Sequence, residues 1–285
     1  MASRSGNRRS KSGNRDGVVA VGDACAALGQ IAPLELAQSW DNVGLLAGDL
    51  RAPVRRVLLC IDMMPAVVRE AKKQRADLVV AYHPPWFRPV SRLIEPSEKM
   101  ETGVLQCIAF GAAVYAMHTA LDAADDGAND VLAKLVGLSD LAPLPAVEAE
   151  PSSGAVEPSI GRIGRFASKT SLGKLAAKLR RRLGAPCVSI VGAPDQPLRR
   201  GIVVVGAAGS LPFQVPLGKG DVVVTGELRH HDALRLQRNR ACAIALSHWS
   251  SERPVLESVA ERLTALLPTV RIRISQADTE PFLRA

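Results

Sequence analysis

The chain has 285 residues, 47% hydrophobic and 22% charged, an ordinary soluble balance at a length that suggests about two domains. No run reaches the roughly 18 apolar residues of a membrane span. The formal charge of +8 invites a nucleic-acid reading, but five basic residues and one acid fall in the first 16 positions, so half of the excess belongs to a tail.

That tail, MASRSGNRRSKSGNRD, has almost no apolar residues and is expected to be disordered. No apolar stretch follows its basic start, which excludes a secretory signal; Arg and Ser content alone leaves an organelle transit peptide as a lesser reading. The first α/β unit is expected over residues 17–140. VGDACAALGQIAP reads as a helix ended by Pro33, and LELAQSWDNVGLLAGDL as turn-rich. RRVLLCID is a buried strand, PAVVREAKKQR a helix with Pro65 in its first turn, and ADLVVAYHPPWF a strand ending at His83. KMETGVLQCIAFG is helical by period, AAVYAMHTALD a third strand, and GANDVLAKLVGL a helix. Residues 141–159 are rich in Pro, Ala, Ser and Glu without a period, and read as a linker. The second unit and its closing elements then occupy residues 160–285. GRIGRF opens it, and SLGKLAAKLRRRLG is an amphipathic helix capped by Ser171 and stopped by Gly184. CVSIVG, GIVVVGAAG, GDVVVTGELRHH, ACAIALSHWSSE and VRIRIS read as strands, with PVLESVAERLTALL a helix before the last. Alternation of strands and helices predicts an α/β protein with mainly parallel, buried sheets.

The five cysteines, Cys25, Cys60, Cys107, Cys187 and Cys242, are odd in number, far apart and never in C-x-x-C. That argues against a disulfide framework and a Cys-based zinc site, and for a reducing, cytoplasmic compartment.

The two halves resemble each other. The strands beginning at Val57 and Gly201 lie 144 positions apart, as do those beginning at Asp77 and Asp221. Each half then carries H-x-x-x-[D/E]: His118 to Asp122, and His248 to Glu252. The common order suggests two related α/β units facing each other.

All five histidines follow strands: His83, His118, His230 with His231, and His248. Ligands of open α/β sheets bind beyond the carboxyl ends of strands. A lone histidine there is more often simply hydrogen-bonded, but five together, two with a carboxylate four residues on, favour metal binding. Imidazole with carboxylate suits Zn, Mn or Fe(II), and a bridging carboxylate can hold two ions roughly 3.5–4 Å apart that activate water. The WDNVG segment is either a functional loop or ordinary turn chemistry. Gly206-Ala-Ala-Gly209-Ser210 reads as a βα turn rather than a phosphate cradle, because it lacks a Walker lysine. Lys178 to Arg182 form a solvated helix face with some attraction for phosphate. No G-x-S-x-G nucleophile motif is present.

Taken in order, SWDNVGLLAGD, ADLVVAYHPPWF, MHTALDAADDGANDVLAKLVGL, IGRIGRF, VVVTGELRHHDAL and SHWSSE resemble the motifs of the Nif-three-like dinuclear metal-centre family, the type-two homologues of GTP cyclohydrolase one. The match runs from about residue 18 to the end. The resemblance implies two similar α/β units with a metal pair between them, in a toroidal homohexamer. It places metal ligands at His83, Asp122, His248 and Glu252, and leaves His118, the candidate proton carrier, with His230 and His231 as surrounding or substrate-facing groups. The family's His-His-Pro falls on Tyr82-His83-Pro84, a form like that of the eukaryotic branch. A neutral phenol is a poor ligand, so one ion or two is left open. The expected function is a metal-dependent hydrolase, with GTP, attacked at its imidazole ring, as the nucleotide substrate. The alternative is a non-enzymatic metal-binding scaffold that contacts a protein partner; a nucleic-acid-binding ring ranks third, and no membrane association is expected.

Overall fold

A computed structural model describes residues 18–95, 99–145 and 157–283. The tail at 1–16 and the middle of the linker at 141–159 lie outside the described residues. The first half runs α1 (Val21–Ile31), β1 (Gly44–Ala47), β2 (Arg56–Cys60), α2 (Pro65–Gln74), β3 (Leu78–Ala81), α3 (Met100–Ala109), β4 (Ala113–Ala116), α4 (His118–Ala123) and α5 (Ala128–Val136). The second runs β5 (Leu138–Pro143), β6 (Arg162–Ser171), α6 (Leu172–Leu183), β7 (Ser189–Val191), β8 (Pro197–Ala207), β9 (Asp221–Glu227), α7 (His230–Arg238), β10 (Cys242–Ala245), α8 (His248–Glu252), α9 (Val255–Leu266) and β11 (Arg271–Ile274).

Two sheets result, ordered β1-β4-β3-β2-β11 and β5-β6-β8-β9-β10-β7. The strand triplets β2-β3-β4 and β8-β9-β10 are parallel, as the alternation of elements requires. The flanks are not: β1, β5, β6 and β7 pair antiparallel, so both sheets are mixed. The closing strand β11 does not join the second sheet; it pairs in parallel with β2 of the first.

Both faces of each parallel triplet are covered, which is why these strands read as unbroken apolar runs. Alternate residues split between two cores. Val57, Leu59 and Val80 face a central cluster that runs through Leu28 of α1, Leu132 of α5 and Val259 of α9 to Val203, Val224 and Ile244 of the second sheet. Leu58, Val79 and Val114 face outward to Val67, Val68 and Val104 of α2 and α3. Ile202, Val223 and Ala243 face Leu236 of α7. The helices α1, α5 and α9 are therefore the filling between two sheets.

The repeat is preserved in register. Val57 pairs with Leu78 in the first sheet and Gly201 with Val222 in the second, each partner 144 positions from its mate. The same offset relates two ion pairs at the strand starts, Arg56 with Asp77 (3.8 Å) and Arg200 with Asp221 (2.6 Å). A buried pair ties the halves: Arg162 Nε and Nη2 donate to Asp130 Oδ1 and Oδ2 at 2.9 and 3.0 Å, and Nη2 also donates to the Ala123 and Ala124 carbonyls. Breaking such a pair typically costs about 3–5 kcal/mol, because one charge is left buried alone.

One difference from the sequence reading matters for the site. The strands before His118 and His248 stop at Ala116 and Ala245, and both H-x-x-x-[D/E] pairs lie on the short helices α4 and α8. Residues four apart share a helix face, so the spacing is a device for pointing two side chains together.

Candidate metal centre

His83 follows β3, its N–H donating to the Ile61 carbonyl at 3.0 Å, so the neighbouring strand fixes where the ring starts. Its Nδ1 lies 3.0 Å from Asp62 Oδ1 at the end of β2, and its Nε2 lies 3.5 Å from Glu252 Oε2. From the other sheet, His248 Nδ1 lies 2.8 Å from Glu227 Oε1 at the end of β9, and its Nε2 lies 3.1 Å from Glu252 Oε1. Both imidazoles thus spend Nδ1 on an outer carboxylate and turn Nε2 toward Glu252. That arrangement selects the tautomer a metal ligand needs. Ligand atoms of His83, His248 and Glu252 all lie within 4.8 Å of one another.

The donor set fits a divalent ion on two further observations. Glu252 is buried, 3% exposed, and among the described residues its Oε2 makes no hydrogen bond of normal length, with His83 Nε2 standing off at 3.5 Å, which leaves that oxygen under-coordinated. A Cβ on Gly206 would stand 2.4 Å from Glu252 Oε1 and 3.0 Å from His248 Nε2, so this glycine, at φ +59°, keeps the space beside the donors clear. Protons take the cation's part when no ion is present. Burial lowers His83, but Asp62 and Glu252 outweigh it and raise the imidazole to about 10. Glu252, then Glu227, lift His248 to about 9 despite burial. Burial pushes Glu252 up, yet the two imidazoles hold it below its usual range.

Asp122 is brought to the same cleft but not into the donor triplet. Its Oδ1 accepts the Tyr82 hydroxyl, and burial raises its carboxyl to about 6. Burial, then Asp122, holds the Tyr82 phenol well above its usual range. His118 Nδ1 lies 2.9 Å from Asp41 Oδ1, while Asp41 Oδ2 accepts the Thr119 N–H at 3.0 Å. The His118 ring packs among His83 (5.1 Å between centroids), Phe87 (5.4 Å) and Trp40 (5.8 Å). Its φ of 21° is rare for a residue with a side chain. Together Trp40, His118, Asp122, Gly206, His248 and Glu252 line a cleft of about 350 Å³. His230 and His231 are exposed at the start of α7 and pack on each other, outside that lining.

Four carboxylates and glycines at this site have no place in the histidine pattern: Asp62, Glu227, Gly206 and Gly226. The carboxyl-end rule applied to acids as well as histidines finds the first two, because Asp62 closes RRVLLCID and Glu227 closes GDVVVTGE. Asp41 of WDNVG belongs to the site, and Asn42 Nδ2 ties that loop to the Trp86 carbonyl at 2.9 Å.

A family model described as Duf34/NIF3 (NGG1p interacting factor 3) matches residues 19–281. The chain is 31% identical over 263 residues to "NIF3-like protein 1" of Drosophila melanogaster, spanning 90% of this chain and 86% of that one. It is 29% identical over 269 residues to a "GTP cyclohydrolase 1 type 2 homolog" of Streptomyces coelicolor, spanning 92% and 93%. The crystal structure of a Bacillus cereus protein related to NIF3 superposes with a TM-score of 0.82 at 21% identity, over 94% of this chain and all of that one, a likeness of fold. No helix among the described residues is long and apolar enough to cross a membrane.

Proposed function

Because this chain belongs to the Duf34/NIF3 family, we propose that it is a divalent-metal-binding, hydrolase-like protein whose ion sits among His83, His248 and Glu252. The observation that carries this reading is the convergence of ligand atoms of His83, from one sheet, and of His248 and Glu252, from the other, to within 4.8 Å of one another around a buried carboxylate. Zn, Mn or Fe(II) suits two imidazoles and a carboxylate. Asp122 would be the group to reach a second ion, and its Oδ1 accepts the Tyr82 hydroxyl. His83, His248 and Glu252 would hold one ion, and a second would need Asp122, which is bonded to Tyr82.

When bound, such an ion lowers the pKa of water and polarises an electrophile. The chain's own residues do the rest. Asp62 and Glu227 keep the two ligand imidazoles in one tautomer. Asp41 holds His118 Nδ1, which leaves Nε2 to take or give a proton in the cleft. Trp40 and Phe87 stand around His118 and shield it from bulk water. A nucleotide hydrolysis of the GTP-cyclohydrolase kind is the reaction that the relatives' name suggests. A homohexamer is the assembly inferred from the resemblance, and five free cysteines suit a reducing compartment such as the cytoplasm.

One observation favours a second reading. The Tyr82–Asp122 bond withdraws the bridging group, and a site reduced to one ion suits a metal-stabilised scaffold for a protein partner, in keeping with the interacting-factor description of the family. Elemental analysis of protein purified without added metal, beside His248→Ala, tests the common premise. One or two ions per chain, lost in the variant, support it; no metal even after reconstitution with Zn, Mn or Fe(II) sinks it. Nucleotide turnover by the loaded protein then separates hydrolase from scaffold.

A further inference from the structure

The segment after β11 carries no motif, yet it touches both halves of the metal centre. Ser275 N–H donates to the Leu59 carbonyl at 2.8 Å, which fastens the segment to β2. Asp278, 4% exposed, then faces two ways. Its Oδ2 accepts the Ile61 N–H at 2.7 Å, and its Oδ1 accepts the Trp249 indole N–H at 3.1 Å. Arg253 Nη1 lies 3.6 Å from Oδ2. Two residues on, Glu280 Oε2 accepts from Ser250 Oγ at 3.0 Å.

The groups joined in this way are the immediate neighbours of the ligand set. Ile61 precedes Asp62, which holds His83 Nδ1. Trp249 follows His248, and Arg253 follows Glu252. A site assembled from two sheets works only if its carriers are held to within about 0.5 Å of the productive geometry. Resting on the metal reading above, we propose that Asp278 is a positioning residue of the metal centre, a buried carboxylate that fixes the strand end carrying Asp62 against the helix carrying His248 and Glu252. It touches no ligand atom. Its effect passes through the Ile61 backbone on one side and α8 on the other.

The test is a Co(II) titration of the full chain, read by affinity and by the visible absorption of the bound ion. Wild type binds, and Asp278→Ala loses about tenfold to a hundredfold in affinity, as outer partners of metal ligands commonly do, with a changed visible spectrum. Val259→Ala is the control: Val259 is buried in α9 within the central apolar cluster, so it costs stability while affinity and spectrum stay. Trp249→Phe keeps an aromatic ring and removes only the N–H that meets Asp278; a smaller loss in the same direction is expected, and it decides the matter if Asp278→Ala does not fold. A folded Asp278→Ala, or failing that Trp249→Phe, with wild-type affinity and spectrum overturns the proposal and leaves the metal site standing. No Co(II) binding by wild type overturns the metal reading and the proposal with it.

Discussion

The corners formed by α4 and α8 begin from the same instructions and end differently. Each follows a parallel strand of a register-matched triplet, and each sets a histidine four residues before a carboxylate. In α8 both side chains join the donor cluster with His83. In α4 neither does: His118 turns to Asp41 and Asp122 to Tyr82. The residues beneath explain the divergence. At the offset of 144, Tyr82 is the mate of Gly226 and Asp62 the mate of Gly206. A Cβ on Gly226 would stand 2.8 Å from His248 Cα and 2.7 Å from the Gly206 carbonyl, so α8 lies down on bare backbone. Tyr82 fills the corresponding place in the first half and takes Asp122 with its hydroxyl. Small residues under one helix and a large one under the other turned a symmetric repeat into an asymmetric site.

If convergence on Glu252 is what distinguishes α8, the sharpest consequence is in proton linkage. His83 and His248 are raised to about 10 and about 9 in the metal-free chain, so both carry a proton at neutral pH. Coordination needs them neutral, and each proton must leave as the ion arrives. Affinity therefore climbs with pH, by about a hundredfold per unit where two protons are displaced, and levels off toward about pH 9–10. Calorimetry of metal binding between about pH 6 and 8, in buffers of different ionisation heat, measures the count. A flat affinity over that range would remove both imidazoles from the ligand set. A smaller effect is expected from filling the space beneath α8. Gly226→Ala drives a methyl group into backbone on two sides, and overpacking of this kind costs about 1–3 kcal/mol. Urea unfolding should show it, together with weaker metal binding, because the displaced groups are His248 and Gly206. An unchanged midpoint would mean that the two corners differ for another reason.

The parallel triplets, the repeat and the carboxyl-end placement of the histidines were legible because they rest on period and order, which a sequence displays. Of the antiparallel flanks only β7, inside CVSIVG, was. Leu138–Pro143 alternates too little to announce a strand, and β1 is hidden in turn residues. The return of β11 to the first sheet is a long-range choice that VRIRIS could satisfy beside either sheet. In the site, His83, His248 and Glu252 come together, while Asp122 is bonded to Tyr82, a contact between residues 40 positions apart. Asp278 lies 217 positions from Ile61, its partner, and no local pattern marks it.

The smallest test concerns the junction before each helix. Three steps lead from Ala245 to His248, but only two from Ala116 to His118. The extra residue gives α8 a proper N-cap: Ser247 is extended, and its Oγ accepts the Ser250 N–H at 3.0 Å. In α4 the corresponding residue is Met117, which caps nothing, and the shorter path leaves His118 at φ 21°. Ser247→Ala makes the α8 junction chemically like its counterpart without changing its length. Loss of such a cap costs about 1 kcal/mol, read as a lower urea midpoint at unchanged slope. If the variant unfolds at the wild-type midpoint, the cap is incidental, and the added residue alone separates a relaxed α8 from a strained α4.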